Sequence, residues 1–171
     1  MDELNYCSVC GTRLIKKECG DEGMVDYCTH CGCFKFPIFN SAVSMVVFNK
    51  DKDKILLIQQ YGKKDNILVA GYINRGETPQ EALRREINEE IGVNAVSWNY
   101  NDSIYFEKSN TLIHNFVVVV DSENFKLKQD EVDYADWYSV PDTVKYIKPN
   151  SLAKRFLTNA LRVRGLIKKI A

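Results

Sequence analysis

Three carboxylates, Glu86, Glu89 and Glu90, stand at i, i+3 and i+4 within the run REINEE. On a helix this spacing crowds them onto one side, where like charges cost roughly 0.2–0.5 kcal/mol per pair. Two readings of the trio follow from residue type alone. It is either a solvated acidic face, as many charge runs are, or a grip for hard divalent cations. The acids are stacked rather than interleaved with bases, and they follow a glycine-containing loop that lets backbone approach a ligand. Both points favour cations. Mg²⁺ and Mn²⁺ take carboxylate oxygens jointly with substrate phosphates. The chemistry expected of such a site is therefore phosphate chemistry.

A second cluster lies near the start of the chain. All six cysteines fall between Cys7 and Cys33, and the remaining 138 residues contain none. Cys7-Ser-Val-Cys10-Gly and Cys28-Thr-His-Cys31-Gly form two C-x2-C knuckles, the spacing of a four-thiolate zinc site. Gly11 and Gly32 permit the tight turn after each pair. Such a site is closed, so it stabilises a small fold and leaves no position for catalysis. Two redox-active C-x-x-C pairs are the rival reading, but no βαβ pattern surrounds either one. Cys19 and Cys33 are expected outside the ligand set, with Cys33 the chief rival for a ligand position.

Helix signals surround the acidic trio. Thr78 as N-cap, Pro79 at the first helical position and Glu81 three residues after the cap make a capping box, and Gly92 fits the stop. Leu83, Ile87 and Ile91 recur every four residues and predict a face against a sheet. Strands are expected at Ala42–Phe48 and Ile55–Gln60 as a hairpin, then at Ile67–Gly71, Val96–Tyr100, Ser103–Glu107, Leu112–Val120 and Tyr134–Ser139. Phe116–Val120 is apolar on both faces and predicts a central strand. From Ser151 onward, Leu152, Phe156, Ala160, Val163 and Ile167 predict a closing helix with a basic opposite face. The fold class expected is α/β (α+β), with a cysteine ribbon over 1–37 ahead of a larger domain over 38–171.

Lys+Arg and Asp+Glu both number 23, for a formal net charge of zero. That balance argues against a general nucleic-acid or membrane binder, although a local basic patch is compatible with it. The longest wholly apolar run, Phe116–Val120, is too short to span a bilayer. With no basic and apolar leader after MDEL, the expectation is a soluble, cytoplasmic protein.

Residues 71–93 resemble the signature of the Nudix hydrolases: Gly71, Glu77, Arg85-Glu86-Ile87, Glu89-Glu90 and Gly92-Val93 stand at its fixed spacing. The resemblance implies a loop–helix–loop in an α/β/α sandwich and hydrolysis of a diphosphate bond in a nucleoside diphosphate linked to another group. It also implies that Glu86, Glu89 and Glu90 hold Mg²⁺ or Mn²⁺, and that Glu77 pairs with Arg85 in a structural role. The glutamate that takes the proton from water stays open between Glu89 and Glu131. The ribbon ahead of the box is similar to the NADH pyrophosphatase branch, which implies structural Zn²⁺, a further metal-binding glutamate at Glu131 and a homodimer. The proline-rich stretch of that branch is replaced here by Asn101–Ser109. Arg75, Tyr105 and Phe106 are the candidate substrate contacts, with Trp98 a further aromatic. NAD(H)-like dinucleotides are the preferred substrates and ADP-ribose or nucleotide sugars the alternative. A ligand-sensing or RNA-binding protein without turnover is the reading from another class.

Overall fold

The computed structural model describes residues 5–128 and 130–166. Ile167, Lys168 and Lys169, expected on the closing helix, lie outside the described residues. The chain divides into two compact units, Met1–Phe39 and Asn40–Ala171.

In the first unit, β1 (Ile15–Glu18), β2 (Met24–Cys28) and β3 (Cys33–Lys35) form an antiparallel sheet in that order. Nearly all its residues are at least partly exposed, and Cys7 and Cys28 are its buried ones. A unit with so little apolar interior needs another source of folding free energy.

The second unit is built on a six-stranded mixed sheet. β4 (Asn40–Phe48), β5 (Lys54–Gln60), β6 (Val69–Tyr72), β7 (Ala95–Phe106), β8 (Thr111–Val120) and β9 (Val132–Ser139) run in the order β7-β8-β4-β5-β9, with β6 also on β4. β4 and β8 pair in parallel from Asn40↔Thr111 to Phe48↔Val119. β6 pairs antiparallel with the first half of β4, Ala42↔Tyr72 to Met45↔Val69. The strand alternation sorts side chains to two faces. Val43, Met45, Val47, Leu56 and Ile58 pack on one side with Leu83, Ile87 and Ile91 of α1 (Pro79–Ile91). Val46, Phe48, Ile55 and Leu57 pack on the other with α3 (Leu152–Val163). A short helix, α2 (Val140–Tyr146), precedes α3. The result is the expected α/β/α sandwich. Among the described residues, no helix is long and apolar enough to cross a membrane.

Local chemistry accounts for α1. The Thr78 side chain accepts from Glu81 N, the Glu81 side chain caps the Thr78 amide, and Gly92 adopts the left-handed conformation at φ 68°. Ile87 and Leu83 are fully buried, which is worth about 1.5–3 kcal/mol each.

Three expectations need correction. β7 is one strand from Ala95 to Phe106, because its breaks are register shifts against β8, at Ala95/Ser97 and Tyr100/Asp102. α2 was not expected. Its cap is Ser139, whose side chain accepts from Asp142 N, and Pro141 sits in its first turn. In α3, Val163 is 72% exposed, and Leu157 and Leu161 are buried beside Phe156 and Ala160. The apolar stripe turns onto the 157/161 row, one residue over from the row that ends at Val163.

Candidate active site

Glu86 and Glu90 are buried on the flank of α1, while Glu89 stays 46% exposed at its side chain. The Glu86 carboxylate lies over β6. A Cβ placed on Gly71 would fall 2.0 Å from the Glu86 carboxyl carbon, so only glycine leaves room for it. Arg85 holds the surrounding loop. Its Nε and Nη2 donate to the two Glu77 oxygens at 2.8 and 2.9 Å, and Nη2 also donates to the Tyr72 carbonyl at 2.9 Å. Its Nη1 donates to Glu86 Oε1 at 2.6 Å and to Glu89 Oε2 at 3.2 Å. One guanidinium therefore spans the strand, the loop and two acids. That bidentate geometry is the reason arginine, and not lysine, suits the position.

The charges are poorly compensated deeper in. Glu90 Oε1 accepts from Gln60 Nε2 at 3.2 Å, but its buried Oε2 has no hydrogen-bond partner. Burial and the neighbouring Glu86 push the Glu90 carboxyl up to about 8. Burial likewise raises Glu86, against the pull of Arg85. Glu131, on the turn before β9, adds repulsion to both; its Oε1 accepts from Lys128 Nζ at 3.0 Å. An orphaned oxygen among mutually repelling acids fits a hard cation, whose charge would remove both penalties. Glu86, Glu90 and Glu131 act on one another electrostatically, and Glu89 stands at the solvent side, held by Arg85.

Gln60 and Lys128 have no place in the sequence expectation. Gln60 ends an apolar strand, where a polar side chain is a hint. Lys128 carries no local signal at all.

The proposed substrate contacts are dispersed. Arg75 is exposed in the turn of the loop before α1. Tyr105 is 50% exposed and its hydroxyl donates to Asn110 Oδ1 at 2.6 Å. Phe106 lines a cleft of about 680 Å³ with Ala42, Ser44, Ala70, Ile113 and Leu152. Ala70 is the residue before Gly71, so this cleft and the Glu86 carboxylate meet across β6. Trp98 packs against the α1 side of the core with the Arg84 guanidinium 5.2 Å from its ring, which leaves it no open face for a base.

In the first unit, Cys7, Cys10, Cys28 and Cys31 bring their sulfurs within 4.8 Å of one another. Printed pairs stand at 3.4, 3.5 and 3.9 Å. A tetrahedron with Zn–S of about 2.3 Å puts sulfurs roughly 3.8 Å apart, so the donor set fits Zn²⁺. The Thr12 hydroxyl holds the Cys10 thiol down to about 6, while the Cys10 and Cys28 sulfurs push Cys31 up to about 12. Four thiolates coexist here only with a cation between them. Gly11 N and Gly32 N donate to the Cys7 and Cys28 carbonyls at 2.8 and 2.9 Å, closing the two knuckles. Cys19 and Cys33 lie outside the four-sulfur group.

The NUDIX domain model matches residues 39–159. The chain belongs to the NUDIX family. Among curated proteins, this NUDIX chain is 28% identical over 160 residues to the NAD-capped RNA hydrolase NudC of Haemophilus influenzae (strain PittGG), covering 91% of the chain and 59% of that protein. It is 26% identical over 158 residues to the protein of the same name from Escherichia coli O9:H4 (strain HS), covering 91% and 60%. It thus spans a little over half the length of these relatives. The NUDIX hydrolase from Nitrosomonas europaea shares the fold with a TM-score of 0.62 at 17% identity, over 95% of this chain and 94% of that one. The MutT structure from Aliivibrio salmonicida and Vibrio cholerae gives 0.58 at 19% identity, over 71% and 98%.

Proposed function

We propose that the chain hydrolyses a diphosphate bond in a nucleoside diphosphate linked to another moiety, with NAD(H)-like dinucleotides preferred and AMP plus a second monophosphate released. The observation that carries this is the buried Glu86–Glu90 pair, seated over Gly71 with one oxygen unsatisfied. In this reading Glu86, Glu89, Glu90 and Glu131 hold Mg²⁺ or Mn²⁺. Bound there, the ion neutralises charge developing on the diphosphate oxygens and lowers the pKa of a bound water. Arg85 fixes Glu86 and the loop. Glu89 is the carboxylate open to solvent and so able to take a proton from water. The water oxygen joins one phosphorus as the bridging P–O bond breaks, and two monophosphates leave. The cleft beside Phe106 takes a base on an apolar floor, and Arg75 at the loop turn meets phosphate. The four cysteines hold structural Zn²⁺. The same reading makes the protein a cytoplasmic homodimer.

The curated relatives carry the name NAD-capped RNA hydrolase, which supports an NAD-type diphosphate and adds a nucleotide-capped RNA end as a second substrate form. ADP-ribose and nucleotide sugars contain the same bond and remain the alternative. The experiment is product analysis on a panel of dinucleotides, ADP-ribose and nucleotide sugars with Mg²⁺ or Mn²⁺. Cleavage of NAD(H) to AMP is expected; no cleavage of any member would end this reading.

A further inference from the structure

The acids and bases of this neutral chain are segregated. Glu77, Glu81, Glu86, Glu89 and Glu90 lie on or just ahead of α1, whereas α3, on the opposite face of the sheet, contains no acid at all. Lys154, Arg155 and Arg162 instead line a groove of about 480 Å³ along the exposed side of α3, with Asn150, Thr158 and Asn159 between them. Among the described residues, none of these three cations has an acidic partner. Arg162 Nη2 donates to the Asn159 amide oxygen at 2.9 Å, which aims it along the groove. The one acid in the wall, Asp102, turns its Oδ1 to the Ser103 amide at 2.8 Å. A zero net charge therefore conceals a basic track.

The track also leads somewhere. Asn150, Ser151 and Arg155 line both this groove and the apolar cleft beside Phe106. That cleft reaches Ala70, next to the glycine on which Glu86 rests. Lys154 and Arg162 are eight residues apart on a helix, roughly 12 Å, which accommodates more than one phosphate of a strand.

We propose that the α3 groove binds the phosphodiester backbone of a single-stranded RNA whose 5′ nucleotide sits in the adjoining cleft. The proposal rests on the diphosphate-hydrolase reading above for its orientation. Unpaired cations supply sequence-independent attraction to phosphates, and the amide and hydroxyl groups between them suit phosphate and 2′-hydroxyl oxygens. An acidic peptide would satisfy the cations but has no use for an apolar cleft next to an aromatic ring. A strand with a base at its end uses both.

The test needs no turnover. A labelled, uncapped single-stranded RNA is titrated with the full chain across a salt series, with poly-glutamate as competitor. The wild-type protein is expected to bind with affinity that falls steeply with salt. In Lys154→Glu/Arg162→Glu the log–log salt slope should shrink by about 1.4, two cations at roughly 0.7 each on a single strand. Its melting temperature should hold, and its kcat/KM on free NAD should stay within about twofold, since neither side chain lines the cleft. On NAD-capped RNA its kcat/KM should fall at least tenfold. Absent RNA binding, a flat salt response, an unchanged slope in the double variant, or displacement by poly-glutamate as effective as by RNA each overturns the proposal. RNA binding without hydrolysis of any substrate would sink the catalytic reading and leave the groove standing; hydrolysis without RNA binding would do the reverse.

Discussion

The carboxylate of Glu86 occupies the space that a side chain on Gly71 would fill. A methyl there would stand 2.0 Å from the carboxyl carbon and 2.0 Å from Oε1. Since neither the strand nor the capped helix can yield, the Gly71→Ala substitution displaces the acid. Overpacking of this kind costs about 1–3 kcal/mol, and misplacing a reacting group by an ångström costs on the order of a hundredfold in rate. A thermal melt and kcat on the preferred dinucleotide check both numbers.

Glu89 separates chemistry from stability. Its side chain is 46% exposed and its one printed contact is the Arg85 guanidinium at 3.2 Å. Glu89→Gln should melt with the wild type and lose about 10²–10⁴-fold in turnover. Product analysis beside a melting curve decides the matter, and a variant that kept full rate would remove Glu89 from the mechanism.

The buried Glu90 makes the metal-free protein sensitive to pH. Its folded value is raised to about 8 from an ordinary value of 4.5. The native state therefore binds the extra proton, and the stability this contributes is complete below about 4.5 and lost as pH rises through about 8. Without divalent ions the melting temperature should fall across that window. Mn²⁺ should reverse the fall at the alkaline end, and Glu90→Gln should flatten the curve. Calorimetry in two buffers of different ionisation enthalpy should detect a proton released as Mn²⁺ binds near neutral pH. No such proton would mean that Glu90 is not a ligand.

Glu77 is the anchor of the loop, and its carboxyl is held below the usual range by Arg85. Glu77→Gln breaks one arm of a charge-assisted fork and should cost about 1.5–3 kcal/mol. The loss in kcat should be smaller than for Glu89→Gln, because Glu77 touches only the scaffold. Denaturant midpoints and single-substrate kinetics measured together distinguish the two.

Much of this was legible in the sequence for a physical reason: the box is local. Capping at Thr78, the stop at Gly92 and the spacing of Leu83, Ile87 and Ile91 are all decided within one helix. The cysteine knuckles are equally local. What escaped depends on distant partners. Leu157 and Leu161 displaced Val163 because the sheet, not the helix period, selects which of two adjacent rows is buried. The bulges in β7 are set by its register with β8, which no reading of Asn101–Ser103 contains. Gln60 reaches Glu90 across 30 residues, and Gly71 looked like a loop glycine until the acid that occupies its missing side chain was placed. The segregation of charge onto two faces was hidden by a total that sums to zero.

Chelation should act on the first unit alone. With Cys7 and Cys28 as its buried residues, residues 1–39 depend on thiolate coordination. A zinc-selective chelator should open them to proteases while a fragment near 40–171 persists, as mass spectrometry of the digest would show. Loss of both units together would tie their stabilities.

The parallel ladder between β4 and β8 has a bearing on biosynthesis. Asn115 donates to the Ser44 hydroxyl from 71 residues away, and the acidic helix lies in the chain between them. During translation α1 emerges before the strand that completes its platform, so a nascent chain displays the acids on an unfinished sheet. Closing so long a loop is slow. Hydrolytic competence should therefore appear abruptly and late, only when the chain past β8 has left the ribosome.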